Sequence, residues 1–377
     1  MTKTISIDAL RGLAAFRAER GCAISLFLDL APSSSPTAGD VAARVSSLLS
    51  EGQRRLRNDL GHEERDGVRA DLERIGRFFA SEFDRDRAGG YAVFAAGPDD
   101  VWETLPLAGS VPDGLKIGSE FHLAPLVPLL GRGEGALVVA VNRERGSLYR
   151  LRAGRLAELV DLTEDAPTRH DQGGWSQSRF QRHIDELAQD HYRTVSDELE
   201  RRFRRLGRPR IVVVATADTR ADFHDTLSAE VADAVIGWAN AEAHATAAQL
   251  EATVRPVLER WLAERESESI ERWREEAGRA SRATAGWAET LEAASDGRVE
   301  LLLYREGARH DAVRCPACGR VQADGDACPL DGERMERTPE GLDLAVRQVL
   351  AHGGTVWVVR HRQDLEPVGG IGAILRY

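Results

Sequence analysis

Lysine is nearly missing: of 50 basic residues only Lys3 and Lys116 are lysines, and the rest are arginines. Arginine suits bidentate phosphate contacts, although a GC-rich genome would produce the same bias. Cysteine is scarce too. Three of the four cluster near residue 320 and Cys22 stands alone as a core residue opening an apolar strand, which excludes a disulfide framework. No apolar run approaches transmembrane length and the first residues carry no signal-peptide core, so no membrane association and a cytoplasmic location are expected. The net charge of −11 argues against a generalised nucleic-acid coat, and no DNA partner is expected. Common catalytic signatures are missing as well: no Walker A lysine, no HExxH, no nucleophile elbow. "GRGEG" at 131–135 precedes a strand instead of following one, and "GGIGA" has no room for a helix behind it.

What is present is an ordinary globular composition, 42% hydrophobic and 29% charged, in 377 residues, enough for two or three domains. The pattern predicts an α/β protein in three parts. Residues 1–132 read as an α+β domain: a helix over 7–20, the strand "AISLFLDL", a helical tract from Val41 to about Asp84 broken near Gly61, then strands "GGYAVFAAG" and "VWETLPL". Asp40 is a candidate helix cap. Residues 133–246 read as an α/β domain, opening with a meander whose turns fall at Arg145-Gly146 and Ala153-Gly154. A long helix to about Leu206 follows, with Phe180, Ile184, Leu187, Val195, Leu199, Phe203 and Leu206 as its apolar stripe, then the strand "RPRIVVVAT". Residues 247–377 read as a second α/β domain, helical to about Thr290 with Pro256 in a first turn or at a kink, and carrying an insert at about 307–338.

Within the insert, "CPACG" (315–319) and "CPLDG" (328–332) match position for position, with Asp331 where the first copy has Cys318. Two such knuckles present Cys315, Cys318, Cys328 and Asp331 as tetrahedral ligands for a structural zinc. The alternative is a ribbon that has lost its metal and kept its turns.

The other local feature is "QGGWSQSRFQRH" (172–183). Ser178 and Gln181 form an S-x-x-Q capping box, which starts the helix at 178 or 179. The first turns then carry Arg179, Arg182 and His183 before any acid, at a helix end that already has positive dipole character. Such a tip suits a phosphate backbone. Gly173 and Gly174 permit close backbone approach, and Gln177 can position a water or present its amide to a developing oxyanion. A solvated turn with Trp175 tucked onto its own domain is the plainer reading.

The segment "RHDQGGWSQSRFQRHIDELAQDHYRTVSDEL" resembles the central part of archaeal and eukaryotic class-1 peptide release factors and Pelota-like rescue proteins. Gly173 and Gly174 match that family's loop glycines, Arg179-Phe180-Gln181-Arg182 its helix start, and His191-Tyr192 its later pair. "SEFHLAPLVPLL" (119–130), "GWAETLEAASDGRVELLLYREG" (286–307) and the terminal "PVGGIGAILRY" are similar to further parts of the family in the same order. The resemblance implies a bacterial member with three-domain architecture, whose third domain carries a mini-domain that is zinc-binding in some archaeal relatives. It departs from the pattern in two places. Trp175 and Ser176 separate the glycines from Gln177, and "SSSPTAGDVAARVSS" stands where the stop-codon-reading motif would be, so stop-codon decoding is not implied.

For function the resemblance implies a ribosome-associated factor that occupies the A site and brings residues 173–177 to the peptidyl-transferase centre. Gly173, Gly174 and Gln177 would then serve hydrolysis of peptidyl-tRNA, with Trp175, Arg179, Arg182 and His183 on ribosomal RNA and a translational GTPase as a further partner. A second expectation is a non-hydrolytic hibernation factor whose loop only plugs that centre. A third, independent of the resemblance, is a stress-related protein-binding scaffold using the ribbon and the acidic helix around "RESESIERWREE".

Overall fold

A computed structural model describes residues 7–31, 37–59, 61–84, 88–107, 109–130, 135–152, 155–162, 177–241, 245–279 and 281–377. Helix α1 (Ile7–Ala15) is followed by strand β1 (Ala23–Asp29), helices α2 (Ala38–Asp59) and α3 (His62–Ser81), and strands β2 (Gly90–Ala96), β3 (Val101–Leu107) and β4 (Gly114–Gly118). The strands form one antiparallel sheet in the order β3-β2-β1-β4. Both faces of β1 and β2 are covered, which is why their sequences are apolar throughout instead of alternating. Ile24, Leu26 and Val93 pack towards α2 and α3, whereas Phe27, Ala92 and Phe94 join a second core. The cap of α2 is Thr37 and not Asp40. Thr37 Oγ1 accepts from the Asp40 amide at 3.2 Å while the Asp40 carboxylate accepts from the Thr37 amide at 2.8 Å, a reciprocal capping box.

The middle of the chain forms a five-stranded mixed sheet from β5 (Leu137–Val141), β6 (Gly146–Arg152), β7 (Arg155–Asp161), β8 (Ile211–Ala215) and β9 (Val235–Ala239), in the order β7-β6-β5-β8-β9. The meander β5-β6-β7 is antiparallel, while β5, β8 and β9 run parallel. Helix α4 (Gln177–Arg205) covers one face with α5 (Ala217–His224) and α6 (Ala229–Ala234) beside it. Leu250, Val254, Val257 and Leu258 of α7 (Ala247–Gly278) cover the other face.

Pro256 lies well inside α7, and the helix ends at Gly278 instead of continuing to Thr290. A short strand β10 (Ala283–Ala285) and a separate helix α8 (Trp287–Ser295) follow. Next come β11 (Val299–Arg305), the insert strands β12 (Ala312–Arg314), β13 (Val321–Gln322) and β14 (Glu336–Thr338), helix α9 (Gly341–Ala351), and strands β15 (Thr355–Val359) and β16 (Ile371–Leu375). The large strands form a sheet β10-β16-β11-β15, and the insert has its own sheet β13-β12-β14. Ile270 and Trp273 of α7 pack on one face of the larger sheet.

By contacts the chain divides into a unit of residues 1–130 with 263–377 and a unit of residues 131–262. The first unit is held together by one core in which Leu10, Phe27 and Phe94 sit with Leu291, Leu302, Leu344 and Ile371. Among the described residues no helix is long and apolar enough to cross a membrane.

Candidate functional site

Residues 163–176 lie outside the described residues, and so do the side chains of 177–184. Gly173, Gly174 and Trp175 therefore have no described geometry, whereas Ser178 is already the second residue of α4, so the helix starts earlier than the S-x-x-Q box suggests and Ser178 is not its N-cap. For Gln177, Arg179, Arg182 and His183 the backbone alone is described. It places all four in the first two turns of α4, with Gln177 as the first helical residue and no acidic residue in the first turn. A 29-residue helix thus starts at Gln177 with its positive dipole end and no acidic residue in its first turn.

The rest of α4 is anchored firmly. Tyr192, Val195, Leu199 and Phe203 are buried against the sheet, and the Ser196 hydroxyl donates to the Thr226 carbonyl at 2.9 Å. The apolar stripe differs from expectation at one place: Leu187 is 44% exposed and Ala188 faces the core instead. His191 is buried with neither ring nitrogen hydrogen-bonded, and a side chain at Gly146 would touch it and collide with Cγ2 of Val195. Gly146 is therefore required where the β5–β6 turn meets α4. The basic run 201–210 is largely neutralised: Arg201 and Arg202 pair with Glu198, Arg204 with Glu200, and Arg208 with Glu230 at 2.8 Å. Arg210 lies over the Trp261 ring. The basic end of α4 is thus mostly paired within the fold.

A cavity of ≈ 170 Å³ opens at the carboxyl ends of β5 and β8, lined by Asn142, Ser147, Tyr149, Asp161 and Thr216 among others. The chain leaves β5 towards β6 and leaves β8 towards β9, on opposite sides, a position where open α/β sheets often bind ligands. Its rim carries both Arg145 and the carboxylates of Glu158 and Asp161, which defines no single ligand charge.

The cysteine insert is fully described. Each knuckle closes with the same pair of backbone bonds: Gly319 to Cys315 and Cys315 to Arg320 in the first, Gly332 to Cys328 and Cys328 to Glu333 in the second, all 2.8–3.0 Å. Gly319 and Gly332 take φ of 78° and 74°, the left-handed conformation that ends each turn and favours glycine. Cys318 Sγ lies 3.5 Å from Cys328 Sγ, Cys315 Sγ lies 3.6 Å from Asp331 Oδ1 and 3.3 Å from Oδ2, and one donor atom from each of the four residues lies within 4.8 Å of the others. A tetrahedron with zinc–sulfur bonds of about 2.3 Å and zinc–oxygen bonds of about 2.0–2.2 Å has edges of roughly 3.5–3.8 Å. The donor set therefore fits a zinc ion. Cys315, Cys318, Cys328 and Asp331 would hold it, and it would supply a structural cross-link between the two knuckles.

The protonation states describe the same crowding. The Arg320 amide lowers the Cys318 pKa, but burial and the hydrogen bonds to Asp331, Cys315 and Cys328 outweigh it and push the thiol up to about 12. The Glu333 amide and then the neighbouring thiols hold Asp331 down at about 2. A dication would reverse the thiol shift.

A second cluster of potential ligands, His122, Glu340 and Asp343, is better explained without a metal. Glu340 is already paired with Lys116, and Asp343 Oδ1 accepts the amides of Leu123 and Ala124 at 2.7 and 2.8 Å. His122 Nδ1 stands 3.0 Å from the same oxygen, too oblique for a linear hydrogen bond, so the contact is mainly one of charge. Burial alone would lower the His122 pKa, but Asp343 raises it overall. Burial would raise the Asp343 pKa, but His122 and the two amides hold it low. His122 thus contributes stability that is fully present below about pH 6.5 and lost as pH rises through its elevated folded pKa. Asp343 contributes stability that is present above about pH 3.9 and lost as pH falls through its depressed one. Thermal melts of the wild type should therefore fall between pH 6 and 8, and His122→Gln should flatten that slope. An identical slope in both proteins would exclude the pair as its cause.

Residues 122–266 match the family model described as bacterial archaeo-eukaryotic release factor family 10. Peptide chain release factor subunit 1 of Methanopyrus kandleri is 27% identical over 209 residues, 53% of this chain and 51% of that protein, so the match spans about half the relative's length. The Archaeoglobus fulgidus counterpart is 25% identical over 285 residues, 69% of each chain. Among solved structures, Pelota of Archaeoglobus fulgidus aligns over 99% of this chain and 93% of its own at 16% identity, with a TM-score of 0.33. Archaeal Pelota, from a model of the ribosome-bound protein with ABCE1, aligns over 100% and 95% at 14% identity, with a TM-score of 0.44. In sequence the chain is thus similar to archaeal class-1 release factors, and over residues 122–266 to a bacterial family of the archaeo-eukaryotic release-factor type.

Proposed function

We propose that this chain is a ribosome-associated, release-factor-like protein that works in ribosome rescue, entering the A site with residues 173–177 directed at the peptidyl-transferase centre. The observation that carries the reading is that the matched segment, 122–266, contains both that loop and the helix it feeds. The acid-free N-terminus of α4 supports it, because Arg179 and Arg182 would meet RNA phosphate with the helix dipole behind them. Gln177 would position a water against the peptidyl-tRNA ester. Ester hydrolysis at that centre asks mostly for placement and admission of water, which a positioned amide can supply. A translational GTPase is the expected delivery partner.

Trp175 and Ser176 support a second reading, in which the same loop fills the centre without hydrolysis and protects an idle ribosome. Both readings require ribosome binding, and salt dependence tests it. Neutralising two or three phosphates gives a slope of roughly −1.5 to −2.5 in log affinity against log salt. Co-sedimentation should therefore weaken about ten- to thirtyfold between 50 and 200 mM salt. Replacing Arg179 and Arg182 by alanine should make the slope shallower by roughly 1.5. Absence of wild-type co-sedimentation at low salt would sink both readings and leave the protein-binding scaffold.

A further inference from the structure

The first knuckle does not stand free on the C-terminal part of its unit. Arg17, in the chain just after α1, donates from Nη2 to the carbonyl oxygen of Pro316 at 2.8 Å. Arg314, next to Cys315, reaches Glu120 with one guanidinium nitrogen and Ser119 Oγ at 3.4 Å with the other. On its far side the knuckle is held by α9 and α8. Gln348 donates to the Gly319 carbonyl at 2.9 Å, and Ser295 exchanges two bonds of 2.9 Å with Val321. The turn Cys315–Arg320 is therefore a bridge between the first 130 residues and the C-terminal helices.

The knuckles themselves make few apolar contacts. Ala312 and Val321 of the insert join the large core of the unit, but around the four ligands the buried apolar cluster is Val313, Cys315, Cys328 and Met335, two of them thiols of the proposed metal site. Leu330, at the tip of the second knuckle, is 69% exposed and adds nothing to that core. A core this small needs a staple to keep one conformation. Ligation at Cys315 and Cys318 would fix the two ends of the peptide whose middle carbonyl Arg17 holds.

We propose that metal occupancy of the Cys315–Cys318–Cys328–Asp331 cluster is thermodynamically coupled to docking of the N-terminal segment around Arg17, with the Pro316 carbonyl as the coupling contact. The inference rests on the reading of the cluster as a zinc site. None of the four residues that would hold the metal is N-terminal. A bound ion would narrow the conformations of the turn whose Pro316 carbonyl accepts from Arg17, and the coupling must run both ways.

The test uses the full chain, stripped of metal and reloaded with zinc, with two readouts. Hydrogen exchange is followed in peptides covering residues 7–30, and zinc affinity is measured by competition with a chromophoric chelator. Zinc should slow exchange in α1 about three- to tenfold in the wild type. Arg17→Ala, an exposed change, should abolish that slowing and weaken zinc by the same factor, about 0.7–1.4 kcal/mol. Arg337→Ala, whose guanidinium pairs with Asp324 at 2.8 Å inside the insert, should leave both readouts as in the wild type. Unchanged α1 exchange in protein that has taken up zinc, or equal zinc affinity with and without Arg17, would overturn the coupling alone. Failure of the wild type to bind zinc more tightly than Cys315→Ser would overturn the zinc reading, and the coupling with it.

Discussion

Gln177→Ala is expected to lower peptidyl-tRNA release by about 10²–10³-fold while leaving co-sedimentation with ribosomes unchanged. That is the size of loss when one positioned polar group is removed from the site of developing charge. The separation of the two readouts follows from the helix. Binding would come from Arg179 and Arg182 in the first turns of α4, whereas Gln177 precedes them at the helix start and carries no charge. Affinity should thus follow the arginines and turnover the glutamine. If wild type and Gln177→Ala both bind but release at the same low rate, the hydrolytic reading fails and the plug reading stands. Trp175→Ala then becomes the informative variant. Residues 175 and 176 are what separate this loop from the plain Gly-Gly-Gln order, so a plug should lose ribosome affinity with Trp175, and a hydrolase should lose less.

Strands and helices with strong local patterns were readable from the chain. β1, β2, β5, β8 and β16 stand out as apolar runs because both of their faces are covered, and α9 through its helical period. Elements whose stability comes from a neighbour were not. β4 reads "GLKIG", with glycine at each end and a lysine at its centre, and it is a strand because β1 offers it a free edge. β10 has three residues, too few to show a period of two, and the helical pattern on either side of it reads as one helix when it is two. The capping of α2 turned on which of two polar residues came first, and the earlier one, Thr37, occupies the cap. At the sites the same division holds. The knuckles repeat locally, so their ligands could be named from spacing, whereas His122 and Asp343 meet only through the fold. No spacing rule pairs them.

Glu120 is the clearest case of such a long-range site, and its removal should be the most destabilising single change in the first unit. Its carboxylate is buried between two guanidinium groups: Arg347 Nη2 lies 2.6 Å from one oxygen, and Arg314 holds the other. Burial lowers the pKa of Arg347 and Glu120 opposes that shift, as expected for a guanidinium whose charge is offset mainly by this carboxylate. The Nε atoms of both arginines have no hydrogen-bond partner, which means that the desolvation of these ions is only partly offset. Breaking such a pair costs about 3–5 kcal/mol, chiefly through the uncompensated charge left behind. For a unit of this size Glu120→Ala should lower Tm by roughly 6–20 °C. The triple change Glu120→Met, Arg314→Met and Arg347→Met should recover most of that loss, since apolar side chains of similar volume often replace a buried ionic triad at no net cost. Glu120→Ala should also loosen Arg314, and with it the first knuckle, because only Ser119 then remains in reach of that guanidinium. A Tm loss under about 3 °C for Glu120→Ala would show that water already reaches these arginines, and that the first unit is held by its shared apolar core alone.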